Sequence, residues 1–189
     1  MFCPKHPQES LIAGQLVDGL KASSCSICSG SWIMSEDYQT WQSNQTDLSV
    51  KLDSLTVPIN CDIDYQPSRY DTRAGLCPNC GFYLVRARIN LKQIAFFVER
   101  CPACKGIWCD DGEWAVLKEL GLNAYIPVLF TDEWQSRVRV AEVELRERAA
   151  TAEKLGPEIA EKLFELATLL EGHPNGDFGV AYLMRRFEK

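Results

Sequence analysis

The sequence CPACKGIWCDDGEW, residues 101–114, contains three cysteines and three carboxylates within fourteen positions. Such a stretch fits a redox pair, half of a metal site or an acid–base centre, and the surrounding sequence discriminates among them. A second pair, Cys77-x2-Cys80, lies upstream, and 20 residues separate it from Cys101-x2-Cys104. Two CxxC pairs at this separation supply four thiolates for one tetrahedral Zn²⁺. We therefore predict a zinc site at these four cysteines.

The chain between the two pairs has the alternation of a β-hairpin. In YLVRARINL (83–91) all five odd-numbered positions are apolar, and Arg86, Arg88 and Asn90 take the other parity. IAFFVE (94–99) predicts a second strand. The turn is expected between residues 90 and 93. Proline follows the first cysteine of each pair and glycine lies just after the second, which suits tight turns whose N–H groups point at sulfur. This is the layout of a zinc ribbon.

The N-terminus carries an imperfect copy of the same pattern. Cys3-x2-His6 is followed by 18 residues and then by Cys25-x2-Cys28. A glycine and a tryptophan follow the second pair at the same offsets in both copies, as Gly30 and Trp32, and as Gly106 and Trp108. Neutral imidazole can replace one thiolate on zinc, so we predict a second, Cys3His site. The alternative is a decayed repeat in which His6 is exposed to solvent.

The second copy resembles the zinc-ribbon family named after the general transcription factor TFIIB, whose pattern is CPxC followed by CPxCxGxWxDxGE and a helix. The matching residues are Cys77, Pro78, Cys80, Cys101, Pro102, Cys104, Gly106, Trp108, Asp110, Gly112 and Glu113. The first copy matches in part, because it lacks the DxGE end and has His6 in place of a cysteine. The resemblance implies a metal-bound binding module and does not imply one particular function.

The carboxylates of the opening stretch have a structural explanation. We expect Asp110 or Asp111 to cap a helix that begins near Gly112, by accepting bonds from its free N–H groups. Trp114, Leu117 and Leu120 would face inward, and Gly121 would end this helix. This role is favoured over acid–base catalysis.

Composition points to a soluble protein of the cytoplasm. The chain has 189 residues, a net charge of −6 and no apolar run long enough to span a membrane. Nine cysteines, an odd number, with no signal-peptide pattern at the N-terminus, argue against a secreted disulfide framework. In a reducing compartment, clustered cysteines more often bind metal.

We predict an α+β fold with two small zinc-ribbon β-hairpin modules followed by a C-terminal α-helical hairpin. The expected segments are a degenerate ribbon (1–43), a linker with possible short strands (44–74), a ribbon with its helix (75–122) and a helical region (123–189). Within them, residues 35–76 are expected to be mostly irregular, with SVKLDSLTVPI (49–59) and CDIDY (61–65) as candidate strands. One helix should begin at Thr131 or Asp132, and Gly156-Pro157 should separate it from a second. A third, short helix should follow the turn at HPNGD (173–177).

Three classes of function fit the sequence to different degrees. A zinc-binding adaptor or scaffold that mediates protein–protein interaction in a larger complex fits best, with the apolar stripes of the C-terminal helices packed on each other or presented to a partner. A nucleic-acid-binding role is the alternative, since residues 65–105 carry seven Lys or Arg and two Asp or Glu. Its candidate contacts are Arg86, Arg88, Lys92 and Arg100. Enzymatic activity is not expected, nor is a small-molecule substrate; Cys61 and Cys109 are the cysteines left outside the two sites.

Overall fold

Six strands form one antiparallel sheet in the computed structural model, which describes residues 1–45 and 55–188. The strands are β1 (Ile12–Gln15), β2 (Lys21–Ser24), β3 (Ser31–Ile33), β4 (Val85–Asn90), β5 (Ala95–Arg100) and β6 (Ile107–Cys109). Their order across the sheet is β1-β2-β3-β6-β5-β4. The prediction of a mixed α and β chain is confirmed. The two predicted β-hairpins share one sheet, because β3 pairs with β6.

Each half of the sheet is a β-hairpin followed by a three-residue strand and a helix. Helix α1 (Ser35–Ser43) follows β3, and helix α2 (Glu113–Glu119) follows β6. In the register of β3 with β6, Trp32 lies opposite Trp108. The repeat that the sequence suggests is therefore present as two similarly built halves that meet at their third strands.

Helix α1 shows that the prediction of a mostly irregular segment from residue 35 onward is wrong over its first nine residues. Tyr38 and Trp41 are buried, and the Tyr38 hydroxyl donates to the Asn123 carbonyl over 2.9 Å. The N-cap residue is Met34, whose side chain makes no capping bond. The usual sequence signal for a helix start is thus missing, and the helix is stabilised by tertiary packing.

The β4–β5 hairpin follows its predicted alternation in the middle and departs from it at its ends. Ala87, Ile89 and Leu91 are buried, and Leu91 N–H donates to the Ile94 carbonyl over 2.8 Å to close the turn. Tyr83 is 74% exposed. The inner face of the hairpin therefore begins only after the residues that adjoin Cys80.

Helix α2 begins one residue after the predicted start, with Trp114 and Leu117 buried, and Gly121 with φ of +68° follows its end. The prediction that Asp110 or Asp111 caps it is wrong. Gly112 occupies the N-cap position with φ of 79°, and no side chain caps the helix. The Asp110 carboxylate instead accepts a 2.7 Å bond from the Trp108 indole N–H.

The connection between the halves is irregular over its described part. Residues 55–75 contain no strand or helix, so the candidate strand at residues 61–65 is not formed. The other candidate, residues 49–59, lies partly outside the described residues. The connection nevertheless packs on the sheet, since Leu55, Ile59 and Asp71 are buried and the Tyr65 ring contacts Phe96 edge-on.

The C-terminal region is helical, as predicted. The helices are α3 (Ile126–Leu129), α4 (Asp132–Leu155), α5 (Pro157–Glu171) and α6 (Gly176–Phe187). The chain forms two compact units, residues 1–139 and residues 140–189. The core of the first unit includes Trp134 and Val138 of α4. No helix in the described parts of the chain is long and apolar enough to cross a membrane.

Candidate metal centres

Four cysteines converge beside the β4–β5 hairpin, two from the chain before β4 and two from the chain after β5. The Sγ atoms of Cys77 and Cys104 are 3.5 Å apart, and those of Cys80 and Cys101 are 3.4 Å apart. All four ligand atoms lie within 4.8 Å of one another. We call this group the second cluster; it has the four residues that the sequence predicted.

The first cluster forms in the same way beside the β1–β2 hairpin. Its members are Cys3, His6, Cys25 and Cys28. The Sγ atoms of Cys3 and Cys28 are 3.6 Å apart, and His6 Nδ1 lies 3.8 Å from Cys3 Sγ and 3.9 Å from Cys25 Sγ. The His6 ring is half-buried and packs edge-on against Tyr70, with 4.6 Å between ring centroids. His6 therefore faces the cysteines, as the sequence predicted.

Tight turns set the geometry of three of the four ligand pairs. The residue after the second cysteine has positive φ in each case: Ser29 (56°), Gly81 (74°) and Lys105 (63°). Its N–H donates to the carbonyl of the first cysteine of the pair, over 2.9 to 3.1 Å. This left-handed residue reverses the chain, so that both Sγ atoms of the pair point to the same side.

Backbone N–H groups point at the sulfur atoms. The N–H groups of Asn79 and Cys80 lie 3.4 Å from Cys77 Sγ, and the N–H of Cys104 lies 3.4 Å from Cys101 Sγ. In the first cluster, the N–H of Lys5 lies 3.3 Å from Cys3 Sγ. Hydrogen bonds to the charged form of an acid favour that form, so these contacts suit thiolates.

The donor geometry fits a single tetrahedral ion in each cluster. Bonds of about 2.3 Å from a metal to sulfur place tetrahedral ligands about 3.8 Å apart, close to the Sγ–Sγ distances above. Disulfide bonds of about 2.05 Å are excluded by those distances, and all nine cysteines are free. Burial raises the pKa of the Cys28 and Cys77 thiols, and a divalent cation would offset that effect by stabilising the thiolates. Both clusters can therefore hold a metal ion.

The two clusters border one hydrophobic core at the junction of β3 and β6. Trp32 and Trp108 are fully buried there, among cysteines of both clusters. The approach of the two halves is reciprocal: a Cβ atom at Gly30 would lie 2.3 Å from Trp108 Cζ2, and one at Gly106 would lie 2.3 Å from Trp32 Cζ2. The repeated glycines are therefore explained by the close approach of a tryptophan from the opposite half.

A buried lysine that no sequence motif singles out links the first cluster to the second half. Lys5, between Cys3 and His6, is 3% exposed. Its ammonium donates to the carbonyls of Tyr70 and Arg73 over 3.2 and 2.7 Å, and to Glu99 Oε1 over 2.9 Å. Asp110 Oδ2 lies 3.7 Å from the same Nζ atom.

Three buried carboxylates adjoin this ion pair: Asp71, Asp110 and Glu113 have oxygen atoms within 4.8 Å of one another. Each has a structural partner. Phe97 N–H donates to Asp71 over 2.8 Å, and Asp110 N–H donates to Glu113 Oε2 over 2.7 Å. Burial raises the pKa of Asp71, and burial together with the charge of Asp110 raises that of Glu113 well above its ordinary value. Glu113 thus satisfies the N–H of Asp110 at the start of α2, and Asp71 joins the irregular connection to strand β5.

The basic residues proposed for nucleic-acid contact lie in different surroundings. Arg86 and Arg88 are exposed on β4, and the Arg86 guanidinium lies 4.3 Å from the Phe97 ring centroid. Lys92, in the hairpin turn, pairs with Asp62 over 3.3 Å. Arg100 is half-buried, and burial lowers its pKa. The structure thus places two of the four on one exposed strand face.

The remaining cysteines do not join either cluster. Cys109 on β6 is fully buried, and burial raises its pKa well above the ordinary value, the opposite of what a reactive thiol needs. Cys61 is exposed on the irregular connection. Cys109 is therefore a core residue.

In comparisons with protein-family models, curated proteins and solved structures, none matches the chain. The resemblance to TFIIB-type zinc ribbons accordingly remains a prediction from the residues quoted above.

Proposed function

We propose that the protein is a zinc-binding adaptor of the zinc-ribbon type, which mediates protein–protein interaction in the assembly or regulation of a larger complex. Each cluster holds one structural Zn²⁺, and the sheet with its two metals is a rigid platform. The protein acts in the reducing cytoplasm, where its thiols stay available for metal, and it catalyses no reaction of its own.

The observation that carries the metal part of this proposal is the closed donor set of each cluster. Four protein ligands fill the four positions of a tetrahedral ion, which leaves no position for a water nucleophile or a substrate. Sulfur-rich tetrahedral sites favour zinc over magnesium and calcium. The turns and N–H···S contacts around Cys77 and Cys101 suit thiolate ligands. Zinc binding then contributes directly to the folding of small β-hairpins that bury little surface.

The adaptor part is supported by the apolar surface of the second unit. Leu163 of α5 is 42% exposed, Met184 and Phe187 of α6 are 60% and 82% exposed, and all three line one groove between the two helices. Large apolar side chains grouped on a surface are typical of protein-binding sites. The exposed helices thus supply a face that a protein partner can cover.

Metal analysis of matched variants tests the zinc proposal. We expect two equivalents of zinc in the purified protein and one in Cys80→Ser, because the second cluster loses a ligand. Cys61→Ser is the matched control and should keep both, since Cys61 lies outside the clusters. His6→Ala should lower the zinc content through the first cluster. Two equivalents in Cys80→Ser, or a metal other than zinc in native preparations, would contradict the proposal.

Purification from the native host, with and without nuclease, tests the adaptor proposal. A stoichiometric protein that remains bound after nuclease treatment, and that is lost from a Met184→Glu, Phe187→Glu double variant, is the expected result. Partners that disappear with nuclease would argue against a protein adaptor.

Nucleic-acid binding is the second candidate, and the exposure of two aromatic residues favours it. Phe82 and Tyr83 are 58% and 74% exposed next to Cys80, on the chain that leads into β4 with its Arg86 and Arg88. Aromatic rings beside guanidinium groups can stack on bases while the charges contact phosphate. Fluorescence anisotropy with a labelled single-stranded oligonucleotide, over a series of salt concentrations, tests this candidate. Binding should be abolished in Arg86→Glu with Arg88→Glu and retained in Lys162→Glu.

A further inference from the structure

The second cluster has a cysteine at the surface of the protein. Cys80 is exposed and Cys104 is half-buried, whereas Cys77 and Cys101 are 4% and 0% exposed. Oxidation of a cysteine requires thiolate character and access for the oxidant. A cysteine that binds a metal ion is deprotonated. As a metal ligand, Cys80 is therefore the cysteine of this cluster that a dissolved oxidant reaches first.

A partner for an oxidised Cys80 is already close by. Cys101 Sγ lies 3.4 Å from Cys80 Sγ, and a disulfide bond brings two sulfur atoms to about 2.05 Å. Cys80 lies before β4 and Cys101 lies directly after β5. A bond between these two sulfur atoms would thus join the two turns that flank the β4–β5 hairpin.

In the first cluster a histidine takes the place of the accessible cysteine. His6 occupies in Cys3-x2-His6 the position that Cys80 occupies in Cys77-x2-Cys80. It is the half-buried ligand of its cluster, and an imidazole forms neither a sulfenic acid nor a disulfide. The cysteines of this cluster are 1%, 2% and 8% exposed, for Cys3, Cys25 and Cys28 respectively. The departure from the repeat therefore removes sulfur from the position at which solvent reaches the cluster.

We propose that the second cluster is a peroxide-sensitive zinc site, which loses its ion when Cys80 and Cys101 form a disulfide, while the first cluster keeps its ion. This inference rests on the proposed function, because it takes each cluster to hold one zinc ion, and it adds a regulation to it. The surface around Cys80, which includes the exposed Phe82 and Tyr83, changes on oxidation, whereas the first half of the sheet is preserved.

Hydrogen peroxide, the oxidant, accepts two electrons from the two thiolates. The Cys80 thiolate attacks one peroxide oxygen, the O–O bond breaks, and hydroxide leaves with the bonding pair to give a sulfenic acid. The Cys101 thiolate then attacks the Cys80 sulfur, the S–S bond forms, and a second hydroxide leaves. Each hydroxide takes up one proton, so the products are a disulfide and two water molecules. Cys77 and Cys104 stay reduced, and two ligands are too few for a structural zinc site.

Zinc release from the full, metal-loaded chain tests the proposal. We use a Cys61→Ser background, which removes the exposed cysteine outside the clusters. Under hydrogen peroxide, one of the two zinc equivalents should pass to the indicator pyridylazoresorcinol, and the other should stay bound. Alkylation under denaturing conditions and peptide mapping should find Cys80 linked to Cys101 and the first-cluster cysteines alkylated. Dithiothreitol with added zinc should restore the second equivalent.

Cys80→His is the matched variant, because it gives the second cluster the donor set of the first, three cysteines and one histidine. It should hold both zinc equivalents and lower the rate of release by about tenfold or more, since the accessible thiolate is gone. His6→Cys makes the reverse change in the first cluster and should extend the release to both equivalents.

Several outcomes would overturn the inference. These are retention of both equivalents under peroxide, release of both at one rate, a disulfide that omits Cys80, or release from Cys80→His as fast as from the parent chain. If Cys80→His holds only one equivalent, His6→Cys decides, and unchanged release from that variant would overturn the inference. A protein purified without zinc would instead contradict the proposed metal function.

Discussion

Positions 30 and 106 require glycine because a tryptophan ring of the opposite half leaves no room for a Cβ atom. Backbone conformation is not the reason, since neither residue has positive φ. Gly30→Ala should therefore destabilise the protein by about 2 to 3 kcal/mol, because the new methyl group forces the Trp108 ring and strands β3 and β6 apart. Urea unfolding of the metal-loaded protein measures this effect. Gly14→Ala is the control: its Cβ has open space, and stability should be unchanged or slightly higher. Equal losses in the two variants would refute the steric explanation.

Glu113 gives the fold a dependence on pH. Burial raises its pKa well above the ordinary value of 4.5, so the folded protein keeps a proton at pH values where the unfolded chain has lost it. Stability is therefore lost as pH rises above 4.5 toward the raised pKa, by up to about 1.4 kcal/mol per pH unit. Glu113→Gln keeps a neutral acceptor for Asp110 N–H and should remove this loss.

Urea unfolding at several pH values from 6 to 9, where the metal ligands stay bound, measures the contribution of Glu113. We expect the free energy of unfolding of the wild type to fall with pH more steeply than that of Glu113→Gln. Glu119→Gln, at an exposed position of the same helix, should follow the wild type. Parallel curves for the wild type and Glu113→Gln would show that residue 113 does not hold the proton.

At the scale of elements, Lys5 connects the turn before β1 to strand β5 and to the irregular connection. Lys5→Met removes the only cation within 4.0 Å of Glu99 among the described residues. It also removes the ammonium donor from the carbonyls of Tyr70 and Arg73, of which Tyr70 keeps the bond from the Arg73 N–H. We expect a loss of about 3 to 5 kcal/mol, measured by urea unfolding. Glu99→Gln in the same chain should recover part of it.

The control for this prediction is Lys21→Met. Lys21 pairs with Asp37 at 4.0 Å, and its side chain is 73% exposed, so its loss should change stability by less than about 0.5 kcal/mol. A similar small effect of Lys5→Met would mean that the buried network contributes little.

Local sequence signals predicted the elements that depend on neighbouring residues. Ligand spacing and turn residues identified both clusters, and alternation identified the β4–β5 hairpin. Gly156 and Pro157 marked the break between α4 and α5. The elements that local signals missed depend on distant contacts: β3 and β6 are three-residue strands buried throughout, with no alternation to reveal their pairing. The buried role of Lys5 and the helix at Tyr38 and Trp41 likewise follow from residues far along the chain.

At the scale of the whole molecule, removal of metal should affect the two units differently. With a strong zinc chelator, amide hydrogen exchange should accelerate over residues 77–120, because the turns that hold the cysteines lose their shared ligand. Residues 157–171 of α5 contain no cluster ligand and should exchange at the same rate as before. Unchanged protection over residues 77–120, after metal removal has been verified, would contradict a structural role for the second site.

The pairing of β3 with β6 also matters while the protein is being made. The N-terminal half emerges from the ribosome first, because synthesis proceeds from the N-terminus at about 5 to 20 residues per second. The chain between Trp32 and Trp108, which pair across the junction, then takes about 4 to 15 seconds to emerge at that rate. During this interval β3 is an edge strand without β6, and the Trp32 ring lacks the packing that the second half provides. Lys5 also lacks the carboxylates of Glu99 and Asp110. The nascent chain, rather than the finished protein, is therefore the form in which a chaperone has most to protect.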